Sequence, residues 1–249
     1  MNKYSLSIIT INRNNAEGLK KTIESVASQS YKDFEFIIID GGSTDGSQQI
    51  IIDHEKHISY WVSEKDKGIY NAMNKGISKA TGDFILFLNS GDSLLEDEEI
   101  LKKVVLNLQN KAVYYAPIYL ENNNAIKELV EYPIMIEEKF AFTNTLCQQA
   151  VIYHLSVFDN NFFDENLKFI SDWKMHFNLF KNKIAFIHFN VPFANYDVYG
   201  LTSKGETKYK AHKERLKTQF LDFPFYFFKY YGTNKRVFLR LLKMAFRIK

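Results

Sequence analysis

The chain holds 249 residues, 46% hydrophobic, 16% aromatic and 24% charged, which excludes a disordered chain or a peptide-sized scaffold and suffices for one sizeable core. Its net charge of +3 conceals an asymmetry: residues 203–249 carry 13 Lys and Arg against Glu206, Glu214 and Asp222, a net +10, which leaves −7 for residues 1–202. No window approaches the roughly 18 uncharged apolar residues of a membrane-spanning helix, since even the aromatic run Phe220 to Tyr231 is broken by Asp222, Pro224 and Lys229.

Tyr4 to Ile11 and Phe34 to Asp40 are short β-branched or aromatic runs that read as buried strands. Between them Leu19, Ile23 and Val26 recur at helical spacing, with Lys20, Lys21 and Glu24 on the other face. Gly41 to Ser47 is a dense turn, after which Ile50 to His54 reads as helix and Ile58 to Ser63 as a third strand. Ile69 to Ala80 reads as helix, Asp83 to Leu88 as a fourth strand ended by Asn89-Ser90-Gly91-Asp92, and Leu94 to Leu108 as another helix. This alternation predicts an α/β fold with a mostly parallel central sheet.

From Lys111 the pattern loosens to mixed α+β. Strands are expected over Ala112 to Leu120, near Gln149 to His154 and over Lys183 to Phe189, with a polar turn at Glu121 to Asn124 and one helix within Phe163 to Phe180. No linker rich in Pro, Gly or Ser divides the chain. Residues 1–202 therefore read as one domain with halves at 1–110 and 111–202, followed by a basic aromatic extension over 203–249.

The end of that extension has two readings. Arg236, Arg240, Lys243 and Arg247 share one helical stripe, opposite Val237, Phe238, Leu241, Leu242, Ala245 and Ile248. That is the pattern of an interfacial amphipathic helix, and equally of a surface helix whose apolar face covers the core. Eight aromatics within Phe220 to Tyr231 favour an anionic membrane surface as partner. No nucleic acid is expected, because no recognised motif is present and acidic residues occupy the strand ends. The lone Cys147 cannot form an internal disulfide and the first residues lack a secretory-signal pattern, so the expected location is cytoplasmic, peripheral on the inner membrane face.

Ligands of open α/β sheets bind beyond the carboxyl ends of the strands. Polar residues gather there: Thr10, Asn12, Arg13 and Asn14 after the first strand, Asp40 after the second, Glu64, Asp66 and Lys67 after the third, Asn89 and Asp92 after the fourth. Each is also a suitable cap or turn residue. Neither G-x-G-x-x-G after the first strand nor a P-loop is present, so dinucleotide and P-loop chemistry lack their phosphate cradle. Asp92, on a Gly-containing turn after a buried strand, suits Mg²⁺ or Mn²⁺ held jointly with phosphate oxygens. Tyr70 and Trp173 offer faces for a sugar or for core packing; His154, His188, His212 and Cys147 carry no motif.

The segments SIITINRN from Ser7, IDGGSTDGS from Ile39, SEKDKGIYNAMNKGI from Ser63 and ATGDFILFLNSGD from Ala80 together resemble the family 2 glycosyltransferases of GT-A fold. The likeness covers about the first hundred residues and thins afterwards to Gln148-Gln149 and to ISDWKMHF from Ile170. It implies a nucleotide-diphosphate-sugar donor, with Thr10, Asn12 and Asp40 at the base, Asp66 and Lys67 near ribose and phosphates, Asn89 beside them, and a divalent Mn²⁺ or Mg²⁺ as cofactor. Both positions of the usual D-x-D pair are non-acidic here, Asn89 and Gly91, leaving Asp92 as the metal ligand. Asp172 matches the general base of inverting members and is also suited to cap the helix that follows it. The implied activity is inverting transfer of a hexose or N-acetylhexosamine, from a UDP-sugar in the first instance, to a glycan or lipid-linked acceptor of surface polysaccharide or lipopolysaccharide. Two other readings are a nucleotide-sugar-binding protein without turnover, for which the altered metal motif is the clue, and, ranked last, a nucleic-acid-binding α/β protein.

Overall fold

A computed structural model describes residues 4–109, 111–122, 125–159, 162–198, 205–233 and 235–246. Strand β1 (Tyr4–Asn12) leads into helix α1 (Ala16–Ala27), whose N-cap Asn15 accepts the Gly18 N–H at 3.2 Å, and then into β2 (Phe34–Asp40). Helix α2 (Ser47–Asp53) starts earlier than the apolar pattern predicts, because Asp45 Oδ1 accepts both the Ser47 N–H and its hydroxyl and closes the turn. β3 (Tyr60–Ser63), α3 (Ile69–Ile77) and β4 (Gly82–Phe87) follow in the expected order.

The helix expected over Leu94 to Leu108 is mostly not helical. Ser93–Leu94 instead forms a short strand β5, and α4 (Ile100–Val105) begins only after Asp97, whose carbonyl accepts the Ile100 N–H. The strand expected over Ala112 to Leu120 divides into β6 (Val113–Tyr115) and β7 (Ile118–Asn122), for Pro117 lacks the N–H that a continuous ladder needs. β7 runs through half of the expected turn and pairs with β8 (Ala125–Val130). Then come α5 (Glu138–Thr143), β9 (Val151–His154), α6 (Ser171–Lys181), β10 (Phe186–His188) and β11 (Ala194–Asp197). The extension forms α7 (Gly205–Asp222), α8 (Pro224–Tyr231) and α9 (Lys235–Phe246).

The central sheet has strand order β10-β6-β9-β4-β1-β2-β3, parallel except for β9. A second sheet, β5-β11-β7-β8, ties the β5 turn to the second half of the chain. Side chains alternate across the central strands. Leu6, Ile8, Phe36, Ile38 and Leu86 bury against α1, α2 and α4; Ile9, Ile37, Ile39, Ile85 and Phe87 bury in the core on the other side, with residues of α3 and α6. Burial on both faces explains the unbroken apolar runs, at roughly 1.5–3 kcal/mol per large side chain.

The extension is no free tail. Leu216, Phe223, Phe227 and Ala245 are buried in the same core as Phe142, Trp173 and Phe177. Phe238, Leu241 and Leu242 of α9 pack against that core too, so this helix follows the second of its two readings; Arg247 and Ile248 lie outside the described residues. What stays outside is the far face of α8, with Phe225 71% and Phe228 51% exposed, and the basic residues Lys235, Arg236, Arg240 and Lys243 of α9. Among the described residues no helix is long and apolar enough to cross a membrane.

Candidate functional site

Parallel register sets Asn12 beside Asp40 and Asp40 beside Ser63, so the last residues of three strands form one polar row. Asp40 is 0% exposed. Its Oδ1 accepts Asn12 Nδ2 at 2.7 Å and Ser43 Oγ at 2.5 Å; its Oδ2 accepts the Ser43 N–H at 2.9 Å and Ser63 Oγ at 2.5 Å. Burial alone would raise its pKa, but these donors outweigh burial and hold the carboxylate below its ordinary value. Thr10 is equally buried and donates its hydroxyl to Leu88 O at 2.6 Å, pinning β1 to the end of β4. Thr10 and Asp40 are thus held rigidly at the ends of β1 and β2 by their own hydrogen bonds. Asn12 Oδ1 and Asn89 Oδ1, by contrast, are buried acceptors without a partner among the described residues.

Asp66 leans over the β2 end. A Cβ on Gly41 would come within 2.3 Å of Asp66 Oδ2, so only glycine admits that approach, while Asp66 Oδ1 accepts the Gly68 N–H at 2.8 Å. The neighbouring Lys67 side chain is exposed, and its backbone N–H donates to Asn71 Oδ1 at 3.1 Å.

Asp92 lies at 4% exposure after the Gly91 turn. Gln149 Nε2 donates to its Oδ2 at 2.6 Å and the Asp197 N–H to its Oδ1 at 2.9 Å. Burial pushes its pKa up to about 7; the two donors pull it back and the nearby Asp197 charge adds to the rise. Gly91 has φ 105°, and a Cβ there would meet Asp197 Oδ2 at 3.1 Å. Glycine here, where the usual motif carries an acid, lets the Asp197 carboxylate of β11 approach closely. Two neighbouring hard-oxygen carboxylates, Asp92 raised in pKa chiefly by burial, form a donor set that suits Mg²⁺ or Mn²⁺ sharing its shell with phosphate oxygens. No group of three His, Cys, Asp or Glu that could hold a metal occurs among the described residues.

Asp172 stands in the first turn of α6, where the helix dipole favours a carboxylate. Tyr70 OH donates to its Oδ1 at 3.1 Å. Burial raises its pKa, while the Trp173 N–H, the Tyr70 hydroxyl and the Arg215 charge pull it down without cancelling the rise. Arg215 comes from α7: its guanidinium sits 5.2 Å above the Trp173 ring and donates to Phe142 O at 3.3 Å.

Cys147 connects the two acidic positions. Burial pushes its thiol pKa up, and the charges of both Asp92 and Asp172 push it further, so both carboxylates lie within electrostatic reach of one side chain. Its Sγ–H donates to Gln149 Oε1 at 3.0 Å, which orients that amide toward Asp92. Asp197, Tyr153 and Arg215 escape a motif reading because their partners lie far away in sequence, whereas the Gln148-Gln149 pair carries a signal.

The glycosyl transferase family 2 matches residues 7–239. An uncharacterized glycosyltransferase of Mycobacterium tuberculosis is 45% identical over 89 residues, 35% of this chain and 34% of that protein, so the match spans about a third of that relative. A PGL/p-HBAD biosynthesis glycosyltransferase of the same species is 27% identical over 202 residues, 78% of this chain and 77% of that one. Among solved structures, S. aureus TarS 1-349 in complex with UDP-GlcNAc superimposes with a TM-score of 0.67 at 17% identity, over 98% of this chain and 73% of that one. The mannosyltransferase PcManGT from Pyrobaculum calidifontis, in complex with GDP-Man and Mn²⁺, gives 0.64 at 14% identity, over 97% and 69%. The fold, an α/β arrangement with a mostly parallel central sheet, matches these GT-A glycosyltransferase structures. The chain belongs to glycosyl transferase family 2.

Proposed function

We propose that this protein is an inverting glycosyltransferase that moves a hexose or N-acetylhexosamine from a nucleotide-diphosphate sugar to a hydroxyl of a glycan or lipid-linked acceptor. The observation that carries the reading is that Asp172, a raised carboxylate hydrogen-bonded by Tyr70, and Asp92 both lie within electrostatic reach of Cys147. Asp172 takes the proton from the acceptor hydroxyl as that oxygen attacks the anomeric carbon from the face opposite the leaving diphosphate. Asp92, with Asp197 beside it, would hold a divalent cation, which when bound neutralises charge on the leaving phosphate. Asn12, whose Oδ1 lacks a partner among the described residues, would offer an acceptor to the base, with Asp66 and Lys67 assigned to ribose and phosphates. A UDP-sugar is the favoured donor because the TarS neighbour is a UDP-GlcNAc complex.

Calorimetric titration with UDP, GDP and dTDP, with and without Mn²⁺, tests the donor site. Metal-dependent binding of one nucleotide is expected, with slow donor hydrolysis; no binding to folded protein would sink the assignment, and binding without hydrolysis would favour a protein that binds but does not transfer.

The acceptor would be met at the inner face of the cell membrane, during synthesis of surface polysaccharide or lipopolysaccharide. Phe225 and Phe228 on α8, flanked by the basic face of α9, support docking to anionic lipid. Co-sedimentation with vesicles containing phosphatidylglycerol should be clear for the wild type and weak for Phe225→Ser/Phe228→Ser. Equal sedimentation of both proteins would remove α8 from the membrane contact.

A further inference from the structure

Gln148 is 6% exposed, yet its Nε2 has no hydrogen-bond partner among the described residues. A buried amide donor left unmet is costly, and such a group in a folded protein calls for an explanation. The amide is held from its other end. Tyr153 OH donates to Gln148 Oε1 at 3.1 Å, and the same hydroxyl hydrogen-bonds His176 Nε2. Burial drives the His176 pKa down to about 4, so the ring is neutral at physiological pH, and with Nε2–H donating to the Tyr153 oxygen the hydroxyl proton is left for Gln148. Tyr153 in turn is wedged against the Phe87 and Phe158 rings. The carbonyl end of Gln148 is therefore fixed by a rigid chain, and its NH₂ end is committed to the remaining direction.

The surroundings tell what lies that way. Gln148 opens the turn that precedes β9, at the end of β9 lying beside the carboxyl ends of β4 and β6. The next residue, Gln149, donates to Asp92, and the Tyr153 hydroxyl lies in the field of Asp172. Gln148 thus adjoins both acidic positions, through its neighbour Gln149 to Asp92 and through its partner Tyr153 to the field of Asp172. The geometry points to Gln148 as a specificity-determining residue whose Nε2 donates to an oxygen of the donor sugar, a ring hydroxyl or an N-acetyl carbonyl, with Tyr153 and His176 as its positioning residues. A donor group aimed into a dry site rejects sugars that lack the matching oxygen more strongly than an apolar wall would.

This assignment rests on the donor-site reading above, and the test separates the two. Affinities for UDP, UDP-glucose and UDP-N-acetylglucosamine are measured calorimetrically with Mn²⁺ for the wild type, Gln148→Leu and Tyr153→Phe. Gln148→Leu is expected to weaken binding of the accepted UDP-sugar by roughly tenfold while UDP affinity stays within about twofold, since UDP has no sugar to contact. Tyr153→Phe keeps the ring packing but frees the amide, and should give a smaller loss of the same sugar-selective kind. Unchanged UDP-sugar affinity in both variants, or an equal loss for UDP and UDP-sugar, overturns the assignment while leaving the donor site in place. Absence of UDP binding by the wild type overturns the donor site and this assignment with it. Should Gln148→Leu fail to fold, the Tyr153→Phe comparison decides.

Discussion

Removing residues 205–249 is expected to abolish the cooperative fold. Those helices place Leu216, Phe223, Phe227 and Ala245 in a core shared with Phe142, Trp173 and Phe177. Losing the three large side chains at roughly 1.5–3 kcal/mol each costs about 5–9 kcal/mol before newly exposed partners are counted. That is comparable to the whole stability of an ordinary domain, about 5–15 kcal/mol. Polar ties go as well: Glu214 accepts the Lys168 and Phe169 N–H groups at 2.9 and 2.8 Å, Gln219 Nε2 donates to Phe142 O at 2.7 Å, and Asp222 pairs with Lys174 at 2.7 Å. A thermal melt of residues 1–204 followed by near-ultraviolet circular dichroism should show no sharp transition. A cooperative melt near that of the full chain would make the three helices an appendage after all. Phe225→Ser, which alters the outer face of α8, should melt with the wild type, whereas Phe228 also packs against Phe220 and Phe238.

Asp172→Asn should lower kcat by roughly 10²–10⁴-fold, the usual worth of a positioned general base, with donor affinity within about twofold. Asparagine keeps the shape and an oxygen for the Tyr70 hydroxyl but cannot take the acceptor's proton. The pKa shift adds two further readouts. Burial is the largest cause of the raised Asp172 pKa, so the acid limb of the wild-type rate profile lies above the ordinary carboxylate value of 3.8. The Tyr70 hydrogen bond favours the charged form, so Tyr70→Phe should move that limb to still higher pH. For stability the sign is the reverse: a raised native pKa means the fold is most stable with the group protonated and loses stability as pH rises through the native pKa. At neutral pH, above the ordinary carboxylate value, that stability is reduced, and Asp172→Asn should melt higher while transferring almost nothing. Retained transfer would remove Asp172 from the reaction; lost transfer with a lowered melting temperature would point to damage of the α6 start instead.

The first hundred residues are legible because their signals are local. Strand runs such as Phe36 to Ile39 are apolar on both faces since helices cover both sides of the sheet, and polar residues gather where the strands end. The positions of Asn12, Asp40, Asn89 and Asp92 at one edge follow from parallel pairing alone. Local signals failed where a distant strand claimed the backbone: Leu94 pairs with Ala194, and no helical periodicity around Leu94 reveals that competition.

The amphipathic pattern of α9 was equally ambiguous by itself, because an apolar stripe is the same whether it meets lipid or protein; tertiary packing gave it to the core. By itself the sequence determined the class of fold, the crevice edge and the identity of the two acidic residues that carry the proposed chemistry. Only the tertiary structure decided their environment. Tyr70 meets Asp172 across 102 positions, Gln149 meets Asp92 across 57, and Arg215 bears on Asp172 from the C-terminal helices. Burial and such long-range contacts set which carboxylate is raised, which amide is left unmet and which hydroxyl is already engaged, and none of these has a period or a motif in the chain.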